Sequence, residues 1–234
     1  MRGISFNGKH SWRDFRLTLA PGREVGRPSK EKVKHKPAFS NVEYDFSTLY
    51  GSQVYSNREL KYSFNLIGNT KEDMSFQAVK IINWLMNSNG KTKLIDDSFP
   101  GYYFLAEVES EASFKENYTD GILTVTFDAY PFMISELPEG HDIWDDFNFI
   151  LDYAQTTSFS INGETNIELF NPSATVLRPV ITTNAPMTIE MGLKSFSVNA
   201  GITQSYDFML EVGFNELKIT GNGNIDFKMY KELI

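Results

Sequence analysis

Apolar and polar residues alternate along much of the chain. In Glu59 to Ile67, Leu60, Tyr62, Phe64 and Leu66 fall on one side and Glu59, Lys61, Ser63 and Asn65 on the other, as a half-buried antiparallel strand requires. Leu123, Val125, Phe127 and Ala129 repeat the pattern until Pro131, which has no N–H for a ladder. Tyr102, Phe104, Ala106 and Val108 do the same in Gly101 to Ser110. One segment has a different period. Met74, Ala78, Ile81, Ile82 and Leu85 recur at three- and four-residue steps, which predicts a helix over about 71–87 packed on a sheet. Thr70 is placed to cap it, Glu72 and Asp73 suit the positive end of its dipole, and Asn87, Asn89 and Gly90 supply the stop.

After Met133 the pattern changes. Ile134 to Asp146 is acidic, contains Pro138 and Gly140, and has no clear period, so the domain boundary is placed there. Short alternating runs with regular turn signals follow, as in a β-sandwich. Thr157 to Ile161 and Thr165 to Phe170 flank Asn162-Gly163, a strong hairpin signal. A second hairpin is expected across Gly221-Asn222-Gly223-Asn224. Asp142 to Leu151 suits either a helix or a strand, with the strand preferred after Asp146. The expected fold class is mainly β: an N-terminal β domain with one helix and a hairpin over 1–135, and a C-terminal sandwich over 136–234.

The 234 residues suffice for one large or two small domains. No cysteine is present, which excludes disulfides and thiolate metal sites. Net charge is −8, against the clustered positive charge that duplex binding needs. Gly22 to Pro37 departs from this balance, with Arg23, Arg27, Lys30, Lys32, Lys34 and Lys36 against Glu24 and Glu31. No aromatics interleave with these cations, so a solvated loop or an electrostatic contact with an acidic neighbouring subunit is expected ahead of a nucleic-acid arm. The first residues lack the apolar run of a signal peptide, and no run is long enough to span a membrane.

Catalytic and ligand motifs are absent. The sequence contains no HExxH, GxSxG, phosphate-binding loop or GxGxxG. His10, His35 and His141 are far apart and expected at the surface. Asp96 and Asp97 precede Tyr102, Tyr103 and Phe104, an order that raises the question of a sugar-cleaving site. Neighbours on a strand point to opposite faces, so these two cannot flank one glycosidic bond. With Ser98, Pro100 and Gly101 they read as turn chemistry leading to a return strand whose aromatics are core. Asp142, Asp145 and Asp146 lack the ligand ladder of a calcium loop. No catalytic, cofactor-binding or metal-ligating residue is assigned, no cofactor is implied, and no enzyme is expected.

The ordered set of segments resembles the distal tail (Dit) proteins of long, non-contractile-tailed phages of Gram-positive bacteria. The likeness is carried by GISFNGKHSWRDFRLTL, YDFSTLYGSQVYSNRELKYSFNL, AVKIINWLMNSNGKTKLIDDSFPGYYFLAEV and TVTFDAYPFM, then by LFNPSATVLRPVITTNAPMTIEM and DFMLEVGFNELKITGNGNIDFKMY. It spans nearly the whole chain, and departs from the family where Ser173 replaces a usual glycine. The resemblance implies a structural tail protein of a phage or prophage. Its first domain would form a hexameric ring hub and its second would be galectin-like. The implied place is the distal end of the virion tail, between the tail-tube protein and the baseplate or tip, with a tail-associated fibre or lysin protein and receptor-binding proteins as further partners. DNA would pass through the ring without being bound, and no membrane is involved. The rival reading is a carbohydrate-binding module using Trp144, Phe147, Phe149 and Tyr153; packing of these aromatics in the core or between domains is the blander expectation.

Overall fold

The computed structural model describes residues 2–49, 51–109, 112–116, 120–144 and 147–234. The chain divides into two compact units, Met1–Met133 with Ile234, and Ile134–Leu233. The first contains β1 (Ile4–Phe6), β2 (Lys9–His10), α1 (Ser11–Phe15), β3 (Thr18–Leu19), β4 (Glu24–Val25), β5 (Lys34–His35), β6 (Tyr44–Asp45), β7 (Arg58–Ile67), α2 (Lys71–Met86), β8 (Thr92–Asp96), β9 (Tyr102–Glu107), β10 (Ser113–Glu116) and β11 (Asp120–Ala129). A short β12 (Met133–Ser135) follows. The second unit is then built from β13 (Ser158–Asn171), β14 (Val180–Thr183), β15 (Met187–Met191), β16 (Lys194–Val198), β17 (Gly201–Thr203), β18 (Gly213–Lys228) and β19 (Glu232–Leu233).

The first unit is organised around β7 and β11, which pair antiparallel from Arg58↔Ala129 to Ile67↔Asp120. The path continues β2-β1-β8-β9-β11-β7-β3, with β10 beside β11 and β4 beside β7. The alternation read in β7 is realised: Leu60, Tyr62, Phe64 and Leu66 are buried. Helix α2 covers this face with Met74, Ala78, Ile81, Trp84 and Leu85. Thr70 caps it as expected, its hydroxyl accepting the Asp73 N–H at 3.2 Å. Ile82 is only partly buried. Trp84 takes a core place that the stripe did not assign, stacking on Phe15 at 4.6 Å and donating to the Phe6 carbonyl at 2.7 Å. Helix α1 is additional to the single helix predicted. It is too short for a period to reveal.

Strands β13 to β18 of the second unit form one curled antiparallel sheet, which corrects both predicted hairpins. β13 and β18 are continuous strands that pair without a break from Ser158↔Asp226 to Asn171↔Gly213. Asn162-Gly163 therefore lies directly opposite Asn222 and Gly221, so the two expected turns face each other in mid-ribbon. Long-range pairing has overridden the local turn preference. On the other edge of β18, β14 and β15 run in one register, Thr183↔Ile225 and Met187↔Gly221, interrupted at 184–186. The inward residues Ile161, Leu217, Ile219, Ile225 and Phe227 from both sides of this interruption join one core.

The mid-ribbon glycines have a packing role. A Cβ on Gly221 would approach Met187 Cγ to 2.8 Å, and one on Gly223 would overlap Asn184 Oδ1. Gly223 also sits at φ +141°, a backbone state that L side chains rarely adopt. Gly223→Ala is expected to destabilise the second unit by ~1–3 kcal/mol, read as a lowered urea midpoint.

Between Asp142 and Leu151 the strand reading fails. The described residues form turns: Leu151 N–H donates to the Asn148 carbonyl at 3.0 Å, and Ile150 N–H donates to Asn148 Oδ1 at 3.0 Å. The Asn148 side chain competes for the backbone and favours a turn over extension. Asp145 and Asp146 lie outside the described residues.

Candidate functional site

The paired acids flank the β8–β9 turn, as the turn chemistry predicts, but Asp96 is not a surface group. It is fully buried. It accepts from Tyr62 Oη at 2.8 Å and Ser98 N–H at 2.9 Å, and pairs with Arg23 at 2.6 Å. Burial first, and Asp96 second, push the Tyr62 hydroxyl well above the usual phenol range. Asp97 points elsewhere, accepting from Gly3 N–H at 2.9 Å and meeting His10 Nε2 at 3.0 Å. The two carboxylates thus tie the N-terminal strand and the root of the basic segment to one turn. Tyr102 and Phe104 are core residues of the return strand, whereas Tyr103 is half-buried.

His10 is likewise buried, which corrects its expected surface position. It caps α1: Nδ1 accepts from Trp12 N–H at 3.0 Å and Arg13 N–H at 3.1 Å. With Nδ1 so used, the neutral ring carries its proton on Nε2 and donates to Asp97. His10→Ala is expected to cost ~1–2 kcal/mol through loss of the cap, and His10→Asn less. Thermal melts of the two variants distinguish the cap from general packing. His35 is exposed and His141 is partly buried.

The surface that distinguishes the first unit is a two-stranded arm formed by described residues between Ser29 and Ser56. β5 and β6 pair only with each other, Lys34↔Asp45 and His35↔Tyr44. Further down the arm Lys30 bridges Tyr55. Alternation makes the arm two-faced. Lys32 pairs with Asp45 at 3.0 Å and Lys34 with Glu43 at 2.8 Å on one face. Ser47, by hydroxyl and N–H, and then Lys32 hold the Asp45 carboxyl below its ordinary range. The opposite face carries Val33, Tyr44 and Phe46, which are 62%, 51% and 43% exposed, with Tyr44 and Phe46 stacked at 6.3 Å. At the tip Phe39 adopts φ +60° with its ring wholly exposed. A non-glycine residue in that conformation costs ~1–3 kcal/mol, and such positions cluster at contact sites. An isolated two-stranded ribbon is marginal in water, and this one leaves Val33, Phe39, Tyr44 and Phe46 exposed.

That geometry adds an apolar face to the charged one read from Gly22–Pro37. Arg23 is committed to Asp96, and Lys32 and Lys34 to cross-strand partners within the arm. Lys30 and Lys36 keep exposed charge on the arm, while its opposite face offers apolar surface. Charge counting alone missed it because the pairing acids, Glu43 and Asp45, lie beyond the segment counted.

Two further clusters stand apart. The carboxylates of Glu107, Glu109 and Asp128 lie within 4.8 Å of one another, with Lys91 at 2.5 Å from Asp128 as countercharge; β-pairing of Asp128 with Glu107 brings together residues that sequence spacing separates. In the second unit, Trp144 and Phe149 are 72% and 79% exposed; their ring centres lie 5.7 and 5.1 Å from Phe147 and 6.3 Å from each other. The expectation that they fill a core does not hold for these two. Tyr153 packs on Phe170 at 4.4 Å.

Over the full length of both chains, the structure matches the crystal structure of the SPP1 Dit protein, described as a paradigm of the hub adsorption apparatus in phages infecting Gram-positive bacteria, with a TM-score of 0.63. The chain has the Dit fold. Sequence identity to SPP1 Dit is 12%, so the agreement is one of architecture. Structures of the phage p2 baseplate in its activated conformation, with strontium and with calcium, align over 99% of this chain and 98% of theirs, with identities of 9% and 8% and a TM-score of 0.39; that likeness is too low to bear on the fold. No protein-family model and no curated protein sequence matches the chain. Among the described residues no helix is long and apolar enough to cross a membrane.

Proposed function

We propose that the protein is the distal tail hub subunit of a phage or prophage, a structural component whose first unit closes a hexameric ring at the end of the tail. The observation that carries this reading is the full-length Dit fold. The unpartnered amphipathic arm is its mechanical counterpart. A closed ring needs a heterologous contact, one surface of each copy meeting a different surface of the next. The arm supplies the first surface, and the outer stripe of α2, with Phe76, Val79 and Met86 exposed, is a second apolar surface on the same unit. The ring would join the tail-tube protein to fibre, lysin or receptor-binding proteins of the tip. An acidic protomer, at −8, suits a conduit that DNA traverses without being held.

The test is assembly of the full chain. At micromolar concentration, light scattering is expected to give six times the protomer mass, and negative-stain images a six-fold ring with an axial hole. A monomer or two-fold dimer at every concentration up to about 100 μM, well above usual interface affinities, would refute the hub.

A further inference from the structure

Four Asn-Gly pairs occur in the chain: Asn7-Gly8, Asn89-Gly90, Asn162-Gly163 and Asn222-Gly223. Such a pair carries a reaction of its own. The backbone nitrogen of the glycine, on losing its proton to base, attacks the carbonyl carbon of the asparagine side chain. The new N–C bond forms as the bond to Nδ2 breaks, and ammonia leaves. Water then opens the cyclic imide to aspartate or to isoaspartate. Glycine hinders the closure least because it carries no Cβ. The side chain must swing its carbonyl carbon over the next nitrogen, so any contact that holds either partner slows the step.

Three of the four pairs are held. The Asn7 amide donates to the Trp84 and Asn87 carbonyls, both at 3.2 Å, and its Oδ1 accepts from the Thr92 hydroxyl at 3.1 Å. Asn162-Gly163 lies within the unbroken pairing of β13 with β18, and Gly163 N–H donates to Asn222 Oδ1 at 3.0 Å. The same bond fixes the Asn222 side chain. Asn222-Gly223 lies in the same ladder, with Asn184 packed over Gly223 and accepting from Asn224 N–H at 2.7 Å.

Asn89-Gly90 differs in each respect. It follows the end of α2 at Met86 and precedes β8, which starts at Thr92, so no ladder restrains it. Both residues are exposed. Neither the Asn89 amide nor the Gly90 N–H has a hydrogen-bond partner among the described residues, and nothing lies within 4 Å of the place a Gly90 Cβ would take. We infer that Asn89 is a self-modification site, at which the Gly90 nitrogen closes on the side-chain amide in water while the fold shields the other three pairs. The product puts a negative charge just beyond the C-terminus of α2, where the helix dipole disfavours it. Isoaspartate also reroutes the backbone through the former side chain at the turn into β8. Nothing in this reaction depends on ring assembly.

The experiment is peptide mapping of the full chain by mass spectrometry during incubation in mildly alkaline buffer, with a parallel incubation in concentrated urea. The four pairs fall in four different tryptic peptides, and conversion appears as the mass gained when an amide becomes a carboxyl. In the folded chain Asn89 is expected to convert about tenfold faster than the other three, the scale of the one or two hydrogen bonds each of those must break. In urea the four rates should converge. Asn89→Gln should remove the fast conversion with the melting temperature unchanged. Conversion of any other pair as fast as Asn89 in the folded chain overturns the inference. So does an Asn89 that stays an amide until urea is added, or a preference for Asn89 that persists in urea, which would belong to the local sequence alone. Fast conversion of the same peptide in the Gln variant would place the reaction at Asn83 or Asn87 and overturn it as well.

Discussion

Replacing Tyr44 and Phe46 with Asp is expected to abolish assembly while leaving the melting temperature of the protomer nearly unchanged. Both rings lie on the exposed face of the arm and stack on each other, so the folded protomer loses no contact with its core. An exposed substitution of this kind changes stability by about ±0.5 kcal/mol. In a ring the same rings are covered by the next copy, and a charge left there without a partner costs several kcal/mol at every contact. Sedimentation of wild type and variant provides the measurement. Salt supplies a second reading. Assembly driven by the arm's apolar face should persist at about 0.5 M salt, where screening confines charge effects to a few ångströms. Dissolution of the ring at that salt, with the double variant still assembling, would return the contact to the cations.

Asp96→Ala should be the most damaging single substitution at the paired acids, costing ~3–5 kcal/mol. It leaves Arg23 without its carboxylate and Tyr62 Oη without an acceptor beneath the sheet. Arg23 already has one buried nitrogen, Nε, without a partner, and would keep the Ser98 hydroxyl, at 3.0 Å, as its side-chain acceptor. Asp97→Asn should cost no more than ~1 kcal/mol, because an amide oxygen still accepts from Gly3 N–H and His10. Urea unfolding of the two variants tests the contrast. Equal midpoints would mean that the buried pair contributes nothing.

The elements legible in the sequence were those whose pattern is set by the element itself. Helix α2 announced its cap, stripe and stop, and β7 and β11 their alternation, because each presents one face to a core. The misses share a different cause. Asn162-Gly163 has the residues of a tight turn, and only the pairing of β13 with a strand far along the chain keeps it extended. Asp96 looked like turn chemistry because its partners, Arg23 and Tyr62, are remote in sequence. The arm's apolar face was hidden within a segment whose lysines dominate the composition, since Val33 stands alone there and Tyr44 and Phe46 come only beyond its end. As for function, the fold was readable through a resemblance of ordered segments.

The long ribbon of the second unit also governs the order of events at birth. Asn171 pairs with Gly213 and Ser158 with Asp226, so β13 and its partner are 42 to 68 residues apart. β14 and β15 take the other edge of the same late strand. At a synthesis rate of ~5–20 residues per second, the earlier strands wait on the order of seconds for the one that pairs with them all. Such non-local closure slows folding, and it makes β18 the step on which the unit's cooperativity rests. The first unit takes no pairing from β18, so the sheet around β7 and β11 can form while the ribosome is still making the second.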